Sequence, residues 1–299
     1  MNALSLSRPI SPWLEMGAYE ALWSDEGAWF KPLAEKFRQH PGAIPSDFVA
    51  DMNLAYEFSD RAMKLLREGG VEKFGVRING AGEYPTRLRD AEYPVEVLYY
   101  QGWWDLIGTR CVAVVGTRKP SHDGIRQAES IVKGLALDGF TIVSGLADGI
   151  DTVAHTTAIK WNAPTIAVIG TPLSKCYPRR NCKLQQDIAR NHLLISQVPI
   201  CRYVDQHFTI NSRFFPERNI TMSALTEATI IVEASDTSGT LTQARAALKQ
   251  KRKLFILDSC FGLKWPHTYA EKGAIRVKDF EEVKVHLGQS GNSRTTTTV

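Results

Sequence analysis

The chain has 299 residues, 43% of them hydrophobic and 23% charged, a composition that fits a folded globular protein and excludes a disordered or fibrous one. No stretch approaches the roughly 18 consecutive apolar residues of a membrane span. The N-terminal MNALSLSRPISPW lacks a basic segment followed by an apolar core, so no signal peptide, no membrane association and a cytoplasmic location are expected. The formal charge of +4 is small, and any attraction for a polyanion must come from local clusters.

Residues 1–70 read as a small helical domain. Leu14, Ala18 and Leu22 recur at four-residue spacing, as do Leu54, Phe58, Ala62 and Leu66. His40-Pro41-Gly42 and Ile44-Pro45-Ser46 separate the helices, with Ser46 as the expected cap of the second long one. Residues 71–106, broken by Gly80, Gly82, Pro85 and Pro94, read as an irregular connector with one strand near Val97–Tyr100.

From residue 107 to 287 the pattern changes. Short apolar, β-branched runs occur at 111–115, 140–143, 165–169, 193–195, 229–232 and 254–257, each the length of a strand buried on both faces. Helical patterns stand between most of them: Ile125, Ala128, Val132 and Leu135; Ile150, Val153, Ala154 and Ile159; Leu241, Ala244 and Leu248. This alternation predicts an α/β fold with a doubly wound, mostly parallel sheet. The polar residues 288–299 read as a disordered tail.

In an open parallel sheet ligands sit beyond the carboxyl ends of the strands, so the segments that follow the strands carry the functional argument. Four of them are alike: Gly116-Thr117-Arg118, Ser144-Gly145-Leu146-Ala147-Asp148-Gly149, Gly170-Thr171-Pro172, and Ser235-Asp236-Thr237-Ser238-Gly239-Thr240. Glycines that admit close backbone approach, hydroxyl donors and helix N-termini together make a phosphate site. Neither GxGxxG with an acidic residue about twenty positions on nor GxxxxGK[ST] is present, which argues against a standard dinucleotide fold or a P-loop ATPase. Lys175, Arg179, Arg180 and Lys183 form a cationic run beside these loops, whereas the cluster from Arg245 to Lys253 reads as a solvated helix face and its exit.

Asp148 and Asp151 read as caps of the helix that follows them, and His155, one turn beyond Asp151, as its hydrogen-bond partner. Ser144 and His155 are expected some 15 Å apart along the helix axis, too far for a nucleophile and its base. A catalytic arrangement of Glu233 facing Asp148 or Asp151 stays open, but no catalytic residue, metal ligand or cofactor is assigned. The five cysteines, odd in number and without a CxxC pair, are expected to be reduced thiols.

VAVVGTRKPSHDG at 112–124, IVSGLADGIDTVAH at 142–155, TIAVIGT at 165–171, YPRRN at 177–181, FFPERN at 214–219 and IVEASDTSGTLTQARAAL at 231–248 follow one another in this order. Together they resemble the DprA/Smf DNA-processing proteins, from about Val71 to Val283. The resemblance implies a Rossmann-like domain that binds single-stranded DNA without an established catalytic reaction and, in transformation members, hands the strand to a recombinase. By position it implies DNA- or phosphate-facing roles for Gly116, Arg118, Ser121, Gly124, Ser144, Gly145, Gly149, Asp151, Gly170, Lys175, Tyr177, Arg179, Arg180, Asn181, Phe215, Arg218, Asn219, Ser238, Gly239 and Thr240. Tyr177, Phe214 and Phe215 are the candidates for stacking on bases.

The sequence departs from the family pattern at Asp148, where a basic residue is usual, at Gly170–Ser174, at Ile220, at Gln197 and at Asp258-Ser259. Two alternatives therefore stand beside single-strand binding. One is a regulatory protein that senses a phosphorylated nucleotide in the same pocket. The other is an antitoxin-like or defence-associated protein that docks a cognate partner through its helical domain. A LOG-type nucleotide hydrolase is disfavoured, because the PGGxGTxxE run is missing. A recombinase or other partner protein and a second copy of the chain are the expected protein partners.

Overall fold

The computed structural model describes residues 9–288. Among the described residues nine strands form one sheet: β1 Gly75–Ile78, β2 Val97–Gly102, β3 Cys111–Val115, β4 Thr141–Ser144, β5 Thr165–Ile169, β6 Leu193–Ser196, β7 Ala228–Ile231, β8 Lys253–Leu257 and β9 Ile275–Val277. Their order across the sheet is β1-β2-β6-β5-β4-β3-β7-β8-β9. All neighbours from β6 to β9 are parallel, while β2 pairs antiparallel to β6 and β1 antiparallel to β2. The fold is thus α/β and Rossmann-like. The apolar runs that mark the central strands are buried on both sides by helices, as parallel pairing requires.

Two cores flank the sheet. Helices His122–Leu137, Ile150–Lys160 and Phe280–Leu287 pack on one face. The larger core on the other face takes in helices Cys182–Asn191, Phe214–Leu225 and Thr240–Lys249, together with the N-terminal helices Pro12–Ser24, Phe30–Gln39 and Met52–Glu68. The N-terminal helices are tied to the sheet by Glu20, a fully buried carboxylate that accepts from the backbone N–H of Ile200 at 2.8 Å and Cys201 at 2.9 Å and from the Tyr99 hydroxyl. Trp23, Trp29 and Phe30 surround Phe214 with ring centroids 5.0–6.2 Å apart, so the same layer braces helix Phe214–Leu225, which borders the functional crevice.

The structure differs from the sequence reading in several places. The stretch 71–106 contributes two strands, not one, because the residues around Arg77 complete an antiparallel edge against Val97–Tyr100. The helix Met52–Glu68 is capped by Asp51, whose carboxylate accepts from Asn53 N–H at 2.9 Å. Ser46 lies instead in the 3₁₀ turn Pro45–Phe48 and gives both its donors to the buried Glu15, at 2.8 and 2.9 Å. Of the tail read as disordered, residues 289–299 lie outside the described residues. Among the described residues no helix is long and apolar enough to cross a membrane.

Candidate nucleic-acid interface

The chain winds from β3 outward to β6, then returns and builds β7 to β9 on the other side of β3. Strand order therefore reverses between β3 and β7, and the segments beyond their carboxyl ends diverge and leave a crevice. Hydrogen bonds hold its two walls together: Thr117 N–H donates to the Glu233 carbonyl at 2.6 Å, and Thr240 Oγ1 to the Gly116 carbonyl at 3.3 Å. The β4 segment joins them through Ile150 N–H and the Thr117 carbonyl at 3.1 Å. Here glycine is obligatory at position 149. Its φ is +77°, and a Cβ there would lie 2.3 Å from the Thr117 carbonyl oxygen.

The cleft so formed has a volume of about 460 Å³. Arg118 is exposed at its rim and has no hydrogen-bond or ion-pair partner among the described residues. Ser238, Gly239 and Thr240 lead into helix Thr240–Lys249; Ser238 caps its first turn, accepting from Thr240 N–H at 3.2 Å and Leu241 N–H at 3.1 Å, and the positive dipole end beside the cleft favours an anion. Across the cleft Tyr177, 43% exposed, leans on Phe215 with ring centroids 5.4 Å apart. Asn219 spans to the Gly239 carbonyl at 3.2 Å. Phe208, 62% exposed, and Ser212 also line the cleft. Neither is marked in the sequence, because both belong to the one-turn helix Phe208–Asn211 and its cap, too short for a periodic pattern and without a glycine signature; the Phe-Thr-Ile run was the available signal.

Other residues named from the sequence do not face the cleft as donors. Ser144 is fully buried and gives its hydroxyl to the Val114 carbonyl at 2.7 Å, cross-linking β4 to β3. Asn181 is buried and clamps the β4 segment through the Leu146 carbonyl at 3.0 Å and Thr152 Oγ1 at 2.9 Å. Phe214 is fully buried, one position away from the residue that reaches the cleft, and is unavailable for stacking. Arg218 is only 4% exposed; Nη1 donates to the carbonyls of Gly145 and, at 2.6 Å, Val168 at the ends of β4 and β5. A Cβ on Gly145 would sit 2.1 Å from that guanidinium, so the arginine seals the cleft floor. Burial brings its pKa down to about 10, against the opposing charge of Asp151, while burial raises the Asp151 carboxyl above its ordinary value. Gly170 takes the Phe215 ring against its Cα, where a Cβ would lie 2.5 Å from the ring.

Ser121 and Gly124 open helix His122–Leu137, but its N-terminus is already taken. The Glu233 carboxylate accepts from Ser121 N–H at 3.1 Å and Ser121 Oγ at 3.0 Å. This side of β3 forms a separate hollow of about 490 Å³. Glu233 consequently does not face Asp148 or Asp151. Asp148 instead receives Arg180 Nη2 at 2.8 Å, which neutralises one cation of the basic run. Lys175 and Arg179 are exposed outside the cleft lining.

His155 is not bonded to Asp151. The helix starts at Ile150 and runs back over the sheet, which places the imidazole against the Ser144 backbone and brings its Nδ1 within 2.8 Å of Thr165 Oγ1. The 15 Å separation expected from the sequence is therefore wrong; burial holds the imidazole neutral, with a pKa of about 3. Cys176 and Cys182, expected as free thiols, are joined by a disulfide, because the intervening turn brings their Cα atoms to 5.4 Å. Cys111, Cys201 and Cys260 are free and buried. No cluster of three or more metal-ligating side chains occurs among the described residues.

Residues 76–287 match the family of the DNA recombination-mediator protein A. The chain belongs to this family. Among curated DprA/Smf proteins it is 33% identical to the DNA processing protein DprA of Bacillus subtilis over 66% of this chain and 64% of that protein. It is 35% identical to the Smf protein of Escherichia coli over 68% of this chain and 54% of that one. The chain thus spans less than two thirds of the length of these relatives. The X-ray structure of DprA from Streptococcus pneumoniae superposes with a TM-score of 0.69 at 28% identity, covering 92% of this chain and 98% of that one. A Helicobacter pylori DprA structure, described for its single-stranded DNA binding mode, superposes with a TM-score of 0.62 at 28% identity, covering 72% and 95%.

Proposed function

We propose that this DprA/Smf protein binds single-stranded DNA without regard to sequence, with the sugar–phosphate backbone across the β3/β7 crevice. The observation that carries the reading is one cleft in which unpaired Arg118, the N-terminus of helix Thr240–Lys249 and the Tyr177–Phe215 ring pair face the same space. Cations and the positive end of a helix dipole neutralise phosphate, and aromatic faces accept any base. A rigid duplex offers no free base faces to such a surface, so single strands are preferred. The likeness to a relative described for single-strand binding supports the same conclusion. Fluorescence anisotropy with single-stranded DNA, duplex DNA and RNA over a salt series tests it. Binding should be strongest to single strands and weaken steeply with salt. Equal affinity for duplex would sink the proposal.

A phosphorylated nucleotide is the second reading, favoured by a cleft volume of about 460 Å³ and by the neutralisation of Arg180 by Asp148. Thermal shift against a nucleotide panel separates the two: a shift with DNA and none with nucleotides discards it. Within the first reading, a cytoplasmic site of action, self-association and transfer of the strand to a recombinase or another cognate protein are proposals for the whole protein. The exposed Trp13–Tyr56 stack on the N-terminal helices motivates a partner. Copurification from the native host that recovered the chain alone would remove the partner proposal.

A further inference from the structure

We propose that Cys176 and Cys182 form a reversible thiol–disulfide site that sets the order of the Tyr177–Asn181 turn and thereby the affinity of the cleft. The link to affinity rests on the single-strand reading above; the redox site itself does not. The bridge closes a segment of six residues in sequence separation. Within it lie one side chain of the cleft, Tyr177 against Phe215, and two that brace the β4 segment beside it, Arg180 on Asp148 and Asn181 on the Leu146 carbonyl. Apart from the bridge, the Cys176 end is held one residue earlier, at Lys175, whose carbonyl accepts from Thr171 Oγ1 at 3.0 Å and Gln185 Nε2 at 3.2 Å and whose N–H donates to the Pro172 carbonyl at 2.9 Å. Opening the bridge frees Tyr177 at that end, and the ring must then be ordered on binding.

The surroundings suit reactive rather than inert cysteines. Both are partly exposed and line a groove of about 270 Å³ with Gly69, Gly70, Gln101 and Arg190, wide enough for small oxidants and thiols. Cys182 is the first residue of the ten-residue helix Cys182–Asn191, where the helix dipole favours a thiolate. Lys175, Arg179 and Lys183 surround the pair in sequence, and residues 175–186 contain no carboxylate. The remaining cysteines are buried in the cores and lack this setting.

A hydroperoxide is the oxidant class. The Cys182 thiolate attacks the O–O bond; an S–O bond forms, the O–O bond breaks, sulfur loses two electrons, and the departing oxygen takes a proton and leaves as water. The Cys176 thiolate then attacks that sulfur; the S–S bond forms, the S–O bond breaks, and the hydroxyl leaves with a proton as a second water. Two thiols and one hydrogen peroxide give one disulfide and two waters. A dithiol reverses the reaction by exchange.

The test uses the full chain, reduced with dithiothreitol or oxidised with hydrogen peroxide, and the double variant Cys176→Ser/Cys182→Ser. Alkylation followed by mass spectrometry should show the 176–182 bridge in the oxidised sample, with Cys111, Cys201 and Cys260 unbridged. Affinity for labelled oligo-dT should fall roughly three- to tenfold on reduction, the fold-change for ordering one or two side chains. The double variant should match the reduced protein and ignore peroxide. Failure of the bridge to form overturns the proposal, as does equal affinity of all three samples. Should no sample bind DNA, the single-strand reading falls, and hydrogen exchange of residues 176–186 decides the redox site: faster exchange on reduction upholds it, and identical exchange rejects it.

Discussion

Replacing Arg218 by methionine separates a structural arginine from a DNA-contacting one. The guanidinium is 4% exposed, donates to the Gly145 and Val168 carbonyls, and is the opposite charge next to buried Asp151. Arg218→Met leaves a buried carboxylate uncompensated and two carbonyls at strand ends without their donor. Breaking one side of a buried charge arrangement costs about 3–5 kcal/mol. At roughly 2–4 °C per kcal/mol for a chain somewhat below this size, the melting temperature should drop by roughly 6–20 °C. Adding Asp151→Asn should recover part of the loss, because the stranded charge is removed. Differential scanning calorimetry of the wild type and the two variants gives the comparison, with single-strand affinity measured below the transitions. An Arg218→Met protein that melts with the wild type yet loses DNA affinity would refute the reasoning, since it would make Arg218 a ligand contact and not the floor of the cleft.

Arg118→Ala should weaken single-strand binding with no change in melting temperature, and flatten the log–log salt dependence by about 0.7, the contribution of one phosphate contact. Asp148→Asn should do the reverse: it releases Arg180, so affinity rises and the salt dependence steepens by a similar amount, and an unchanged slope would mean that Arg180 lies out of reach of the strand. Tyr177→Ala should cost about 1–3 kcal/mol of binding, read by anisotropy, while far-UV circular dichroism stays that of the wild type. Burial holds the Glu96 carboxyl at about 7 in the folded chain, against 4.5 when exposed. The unfolded state therefore releases this proton first, and the contribution of Glu96 to stability declines as pH rises between those values, by roughly 3 kcal/mol. The stability difference between wild type and Glu96→Gln should follow that decline, and a difference flat in pH would contradict the assignment.

The central strands were legible in the sequence because a strand buried on both faces needs an unbroken apolar, β-branched run, and 111–115 and 165–169 supply it with the bounds observed. The edges were less legible. β1 and β9 are four and three residues long and only partly buried, so they take their conformation from the neighbour they pair with and not from their own pattern. The phosphate-type loops were visible for a similarly local reason: glycines, hydroxyls and helix starts lie within a few residues of one another.

What the sequence by itself could not determine is which way each of those residues turns. Arg118 and Arg218 both sit in conspicuous motifs, yet the first meets solvent and the second meets the carbonyls of residues 73 and 50 positions away. Glu233 fills a helix N-terminus 112 positions upstream, and Asp148 neutralises an arginine 32 positions downstream. Local propensity depends on neighbours along the chain, so composition and spacing fix strands, helices and glycine turns. Burial and charge pairing depend on neighbours in space, and only the packing of helix Phe214–Leu225 and the segments beyond β3, β4 and β7 decided which cations remain available to a ligand.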